Sequence, residues 1–113
     1  MNDIKLMNKA ADNIRILAAS MVEKAKSGHP GGAMGGADFV NVLFSEFLVY
    51  DPKNPAWEGR DRYFQDPGHM SPMLYSVLAL AGKFTIDELK EFRQWGSVTP
   101  GHPAVNVMRG IEN

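Results

Sequence analysis

All three histidines in this 113-residue chain directly follow a glycine. The three pairs are Gly28-His29, Gly68-His69 and Gly101-His102. With 11 glycines in the chain, chance would produce this arrangement in roughly one of a thousand sequences of the same composition. Glycine lets another group approach the backbone closely, and imidazole can donate, accept or transfer a proton near neutral pH. The pairs therefore predict a pocket for a phosphorylated or polyhydroxylated small molecule.

A structural role and a metal site are the alternatives for these histidines. A histidine in a loop is more often a plain surface residue than a functional one, but three in matching contexts favour function. The intervals between them, 40 and 33 residues, lack the short paired spacings of zinc motifs. We therefore do not expect these histidines to bind a metal.

The segment 28–36 around the first pair is rich in glycine. It lacks the Gly-Lys-Ser/Thr ending of a P-loop. It also follows a helical pattern, whereas a dinucleotide-binding fingerprint follows a strand. Two interpretations of its glycines stay open: they allow close packing against a helix, or they contact a ligand.

Composition limits the class of protein. Hydrophobic residues make up 44% and charged residues 22% of the chain, as in ordinary globular proteins. The net charge of −1 comes without blocks of like charge, so we expect no nucleic-acid and no membrane partner. The absence of cysteine excludes a disulfide framework and a thiol nucleophile. With no signal-peptide pattern at the N-terminus, we expect one soluble, cytoplasmic domain.

Four helical patterns would position the histidines. They run from about Asp3 to Lys26, from about Ala33 to Leu48, from Ser71-Pro72 to Gly82, and from Thr85 to Gly96. Ser27-Gly28 would end the first helix, Ser71 would cap the third, and Thr85 with Glu88 fits a capping box. The run Tyr63–Gln65 predicts a short strand.

Apolar residues outside the histidine segments predict packing. The second helix is apolar nearly all round, which indicates that more protein than this chain covers it. Trp57 and Trp95 are expected to be packing residues and not platforms on which a ligand stacks. Met70 and Met73 are expected to fill gaps in a core.

Four segments, in order along the chain, resemble the motifs of transketolases. They are Lys26–Gly32, residues 54–63, residues 68–76 and residues 92–103. The resemblance implies an α/β fold, the N-terminal piece of a thiamine-diphosphate-binding fold in which helices flank a parallel sheet. Residues 1–113 would form the N-terminal part of that domain, truncated and mostly helical, with the one short strand near Tyr63.

The resemblance also implies an activity and residue roles. Transketolases transfer a two-carbon ketol unit reversibly from a ketose phosphate to an aldose phosphate in the pentose phosphate pathway, using thiamine diphosphate. His29 and His102 would be the catalytic and substrate-binding residues, and His69 would contact the diphosphate of the cofactor. Many relatives have serine-asparagine where this chain has Asp66-Pro67, and glutamate where it has Ala104. The second difference removes a carboxylate near His102, which affects the properties of this imidazole more than its identity as a site residue.

The same resemblance implies cofactors and partners. Besides thiamine diphosphate, Mg²⁺ or Ca²⁺ would bind through ligands expected beyond Asn113, where the cofactor-lining and metal motifs belong. The substrates would be sugar phosphates. The partners would be the remainder of the chain or a C-terminal subunit, in a homodimer. We therefore expect the chain alone to be inactive.

Two further readings of the function stay open at this point. One is an enzyme resembling deoxyxylulose phosphate synthase, although the steps His29-Pro30 and His102-Pro103 favour a transketolase. The other is a non-catalytic association module of a split enzyme, which the broadly apolar second helix supports.

Overall fold

The computed structural model describes residues 2–113, which are built mainly from helices and turns. The α-helices are α1 (Ile4–Ala25), α2 (Pro30–Gly35), α3 (Ala37–Val42), α4 (Ser71–Leu80) and α5 (Ile86–Leu89). A π-helical turn spans Leu43–Phe47, and 3₁₀ turns span Gly68–Met70 and Val107–Arg109. Within residues 2–113 there is no strand, only an isolated antiparallel bridge between Asn106 and Ile111. No helix in this range is long and apolar enough to cross a membrane.

The first helix forms as its apolar periodicity predicts. The Asp3 carboxylate caps it by accepting hydrogen bonds from the N–H groups of Lys5 and Leu6. Its buried residues recur at intervals of three and four, the spacing of one helix face; they are Ala11, Ile14, Ala18 and Met21. The helix ends because Lys26 adopts a left-handed conformation with φ of 53°. The terminator is therefore Lys26 and not Ser27-Gly28.

The second predicted helix is a series of three shorter pieces that begins at Pro30. The break falls at Gly36, which joins α2 to α3 with a backbone φ of −89° and ψ of 1°. A Cβ atom on Gly36 would lie 2.6 Å from Met73 Sδ, so any other residue at this position would require the Met73 side chain to shift. Phe39 and Phe47 are 62% and 69% exposed, in agreement with the expectation that the segment is not fully covered.

The fourth α-helix, α4, is the centre of the core. All eight residues from position 71 to 78 are buried, and the helix packs against α1, α2 and α3. Its N-cap is Met70, so the prediction that Ser71 is the cap was wrong by one residue. Ser71 is instead the first helical residue, and its hydroxyl bonds to a distant loop.

The predicted strand at Tyr63–Gln65 does not form. The side-chain amide of Asn113 accepts a hydrogen bond from the Gln65 N–H at 3.0 Å and donates one to the Gln65 carbonyl at 2.8 Å. This pairing satisfies the N–H and the carbonyl of Gln65, which in a sheet would bond to a neighbouring strand. Since the described chain offers no second strand beside it, the segment stays outside a sheet.

The helix predicted from Thr85 begins as expected and ends early. Its capping box is present: Thr85 accepts from the Glu88 N–H, and the Glu88 carboxylate accepts from the Thr85 N–H. The helix ends at Leu89 and not near Gly96. Arg93 and Gly96 then take left-handed conformations with φ of 63° and 74°, which turn the backbone away from a helix.

Both tryptophans are more exposed than their packing role predicted. Trp95 lies in the turn between these two left-handed residues, and its side chain is fully exposed. Trp57 is 42% exposed. The two methionines behave as predicted, since Met70 and Met73 fill the space beside glycines of α2 and the α2–α3 junction.

The Glu88 carboxylate joins α5 to the C-terminal 3₁₀ turn. It accepts a hydrogen bond from Arg109 at 2.6 Å and one from the Thr85 N–H at 2.9 Å. These two donors, Arg109 first, lower the pKa of Glu88 to about 2. The α5 backbone in turn holds the loop before the third histidine, because the Thr99 hydroxyl donates to the Glu88 carbonyl at 3.1 Å.

This pKa makes stability depend on acidity. The pKa of Glu88 is lower in the folded chain than its ordinary 4.5. The ionised carboxylate therefore contributes its full share to the free energy of unfolding above about pH 4.5, and this share is lost as pH falls towards 2. Glu88→Gln should lower the free energy of unfolding by about 1–2 kcal/mol at pH 7, and by much less near pH 2. Urea unfolding at both pH values measures this.

The matched control is Asp87→Asn. The Asp87 side chain is 94% exposed, so its change should stay within about 0.5 kcal/mol. Equal losses for the two variants at pH 7 would contradict the role given to Glu88.

Candidate functional site

The three Gly-His pairs lie at the ends of helices or in a loop. His29 is the N-cap residue of α2, and its imidazole makes no capping hydrogen bond. His69 lies in the 3₁₀ turn that leads into α4. His102 lies in the loop that follows α5. None of them sits inside an apolar helix face.

The structure brings the three pairs together. The imidazole rings of His29 and His69 meet edge to face with centroids 4.9 Å apart. His102 packs on the neighbouring glycine, since a Cβ atom on Gly68 would lie 3.1 Å from His102 Nδ1. His29 and His102 are exposed and His69 is half-buried. Three imidazoles accessible to a ligand thus share one face of the molecule, while their separate roles stay predictions.

The glycines of segment 28–36 divide between two surroundings. Cβ atoms on Gly32 and Gly36 would lie 3.0 Å from Met70 Sδ and 2.6 Å from Met73 Sδ. Gly31 and Gly35, by contrast, have open space around their Cα atoms. Close packing is therefore confirmed for one pair of glycines, and the other pair leaves backbone accessible beside His29.

Two hydroxyl groups of α4 hold the loop that carries His102. Ser71 Oγ donates to the Gly101 carbonyl and Tyr75 Oη donates to the Pro100 carbonyl, both at 2.6 Å. Tyr75 is completely buried, and this burial raises the pKa of its phenol, so the hydroxyl remains a donor. Sequence reasoning gave neither residue this role. The available signal was their spacing of four, which places them on one helix face.

An open cleft lies beside His102. Its volume is about 750 Å³, and Ser27, Arg93, Gly101 and His102 are among the residues that line it. The Arg93 guanidinium donates to Ser27 Oγ at 2.9 Å. Sequence reasoning assigned no role to Arg93 and gave Ser27 only the end of the first helix.

Other parts of the structure offer less to a ligand of this kind. A second cavity, lined by residues such as Phe44, Tyr63 and Leu78, measures about 30 Å³, which is room for little more than a water molecule. No group of three or more His, Asp, Glu or Cys side chains that could hold a metal ion occurs in residues 2–113.

Comparisons with known proteins agree with the sequence resemblance. A protein-family model described as the transketolase, thiamine diphosphate binding domain matches residues 6–113. The transketolase of Buchnera aphidicola is 51% identical over 108 residues, which are 95% of this chain and 16% of that protein.

Solved structures are similar over the same region. The crystal structure of Campylobacter jejuni transketolase gives a TM-score of 0.91 at 46% identity, over 98% of this chain and 17% of that one. Pichia stipitis transketolase in complex with sedoheptulose 7-phosphate gives 0.88 at 42% identity, over 94% of this chain and 16% of that one. The chain thus spans about a sixth of the length of the proteins it resembles.

The hydrogen bond from Tyr75 can be tested directly. Tyr75→Phe leaves the Pro100 carbonyl without its donor, which should lower the free energy of unfolding by about 1–2 kcal/mol. It should also shift the ring resonances of His102. Tyr63→Phe is the control, because its hydroxyl makes only a 3.3 Å bond to Gln65. Urea unfolding and ¹H–¹³C correlation spectra of the imidazoles measure both effects; unchanged His102 resonances in Tyr75→Phe would refute this anchoring.

Proposed function

The chain belongs to the transketolase family, within its thiamine diphosphate binding domain, and from that premise we propose that it supplies one side of an active site for ketol transfer. The reaction is the reversible transfer of a two-carbon ketol unit from a ketose phosphate to an aldose phosphate. The relative bound to sedoheptulose 7-phosphate supports sugar phosphates as substrates.

One observation carries this proposal. Three Gly-His pairs from distant parts of the sequence meet at the turn before α4, with the rings of His29 and His69 4.9 Å apart and His102 packed on Gly68. Imidazoles that are open to a ligand can hydrogen-bond hydroxyl groups and phosphate oxygens and can move protons. That donor set suits a polyhydroxylated, phosphorylated substrate.

The same residues fit thiamine diphosphate. His69 precedes the first turn of α4, where an N–H donor and a helix N-terminus favour phosphate oxygens. When bound, the cofactor supplies the stabilisation of a carbanion at the reacting carbon. His69 would hold the diphosphate, which orients the cofactor towards the other two histidines.

We assign separate roles to His29 and His102. His29 would contact hydroxyl groups of the substrate and help to move protons, and His102 would hydrogen-bond the oxygens of the donor substrate near the reacting carbon. The hydroxyls of Ser71 and Tyr75 fix the loop of His102. Ala104 lacks the carboxylate that many relatives have two residues after this histidine, so His102 would act here without that partner.

The remaining parts of the proposal concern the whole protein. We propose Mg²⁺ or Ca²⁺ bound through ligands outside residues 2–113, a homodimer, a role in the pentose phosphate pathway and a cytoplasmic location. The exposed Phe39 and Phe47 support coverage by further protein. The cysteine-free sequence is compatible with a reducing compartment.

A chimaera tests the proposed function. Residues 6–113 would replace the matching segment of Campylobacter jejuni transketolase, with ketol transfer measured from xylulose phosphate to ribose phosphate in the presence of thiamine diphosphate and Mg²⁺. We expect turnover in the chimaera and none in the purified 113-residue chain. Changing His29, His69 or His102 to alanine in the chimaera should lower kcat/KM by about 10²–10⁴-fold.

Lys9→Ala is the control, because Lys9 lies exposed on α1 and outside the site. It should leave turnover unchanged. A folded chimaera that keeps full activity after loss of any two histidines would refute the proposed function.

A further inference from the structure

Arg93 lies between the loops of the first and third Gly-His pairs. Its guanidinium donates to Ser27 Oγ at 2.9 Å, 66 residues away in sequence. A Cβ atom on Gly101 would lie 3.0 Å from Arg93 Nε and 3.3 Å from Cζ. A Cβ atom on Gly28 would lie 3.7 Å from the same Nε. Glycine at position 101 thus leaves room for the guanidinium of Arg93, which also reaches the first loop through Ser27.

The position of Arg93 is fixed by the protein itself. Its backbone is left-handed, with φ of 63°, and its N–H donates to the Thr99 carbonyl at 3.1 Å. Its Cζ atom lies 5.6 Å from the ring centroid of Phe92, which is 1% exposed. A conformation that is uncommon outside glycine persists where surrounding structure enforces it, often at functional sites.

The Arg93 Nε–H group adds a second argument. This atom is buried and has no hydrogen-bond partner among the described residues. A buried donor without an acceptor is destabilising, so stability alone does not explain an arginine here. The guanidinium places Nε and Cζ beside Gly101 while another of its nitrogens donates to Ser27, which the single ammonium group of lysine cannot do.

The geometry points to Arg93 as a positioning residue that sets His29 and His102 at the separation needed for ketol transfer. This inference rests on the proposed function. Arg93 acts on His29 through Ser27 and Gly28, and on His102 through Gly101. It touches neither the reacting atoms nor the cofactor in this account.

Nuclear Overhauser effects between ring protons test the inference in the purified chain without substrate or cofactor. One connects the rings of His29 and His69, and the other connects the His102 ring with the Hα atoms of Gly68. Arg93→Met keeps the aliphatic stem and removes the donors. It should weaken both effects clearly, because an Overhauser effect falls steeply as two protons move apart.

Two further variants distinguish the contact of Arg93 with the first loop from its contact with the third loop. Ser27→Ala should weaken only the effect between His29 and His69, because it removes the hydrogen bond to the first loop alone. Arg62→Met is the matched control, since Arg62 is exposed and donates to the backbone carbonyls of Glu58 and Arg60. It should change neither effect. Circular dichroism and thermal melting check that each variant is folded.

Activity provides an independent readout. In the chimaera, Arg93→Met should lower kcat between about tenfold and about a hundredfold with KM nearly unchanged. A chimaera that is inactive without any substitution would count against the proposed function, while the Overhauser effects would still decide the role of Arg93. A folded Arg93→Met variant with both effects intact overturns the inference. If Arg93→Met does not fold, an unchanged effect in Ser27→Ala overturns it, as does an equal loss in Arg62→Met.

Discussion

Two hydrogen bonds from α4 determine where the third histidine lies, and the rest of the site depends on them. The hydroxyls of Ser71 and Tyr75 hold the carbonyls of Gly101 and Pro100 at 2.6 Å. Because α4 is buried from position 71 to 78, the loop attached to it is held by a rigid element. The same helix begins directly after the turn that carries His69. One helix therefore positions two of the three Gly-His pairs.

Glycine brings the first pair to the same place. Gly32 and Gly36 allow Met70 and Met73 to pack closely against the segment that follows His29. A side chain at either glycine would require Met70 or Met73 to shift from its place beside this segment. The histidines lie up to 73 positions apart in the sequence. They meet because the Ser71 and Tyr75 hydroxyls of α4 hold one loop, while the methionines at the start of α4 pack against the glycines that follow His29.

Local signals in the sequence predicted the elements that depend on local interactions. The periodicity of α1 and the capping box of Thr85 both appear in the structure, since neighbouring residues satisfy them. The close approach of Met73 to Gly36, and the pairing of Gln65 with Asn113 in place of the predicted strand, join residues that are far apart in the sequence. Such contacts between distant residues leave no periodic pattern, so single-sequence reasoning did not predict them.

In the candidate site, too, residues in an unusual local context were predicted from the sequence, and residues that depend on distant partners were not. The three histidines were found because each stands in an unusual local context beside glycine. Tyr75 and Arg93 were not assigned roles, because a tyrosine in an apolar helix and an arginine in a turn are ordinary until their distant partners are known. These contacts alone do not identify a reaction. The family match over residues 6–113 indicates which chemistry three imidazoles on one face would serve.

The central claim is that the Gly-His pairs form one site, and a double-mutant cycle on His29 and His69 tests it most directly. Ketol transfer would be measured in the chimaera with each histidine changed to alanine, alone and together. Residues in contact interact energetically, whereas distant ones act independently. With rings 4.9 Å apart, the double variant should lose clearly less kcat/KM than the product of the two single losses. A loss equal to that product would contradict the account.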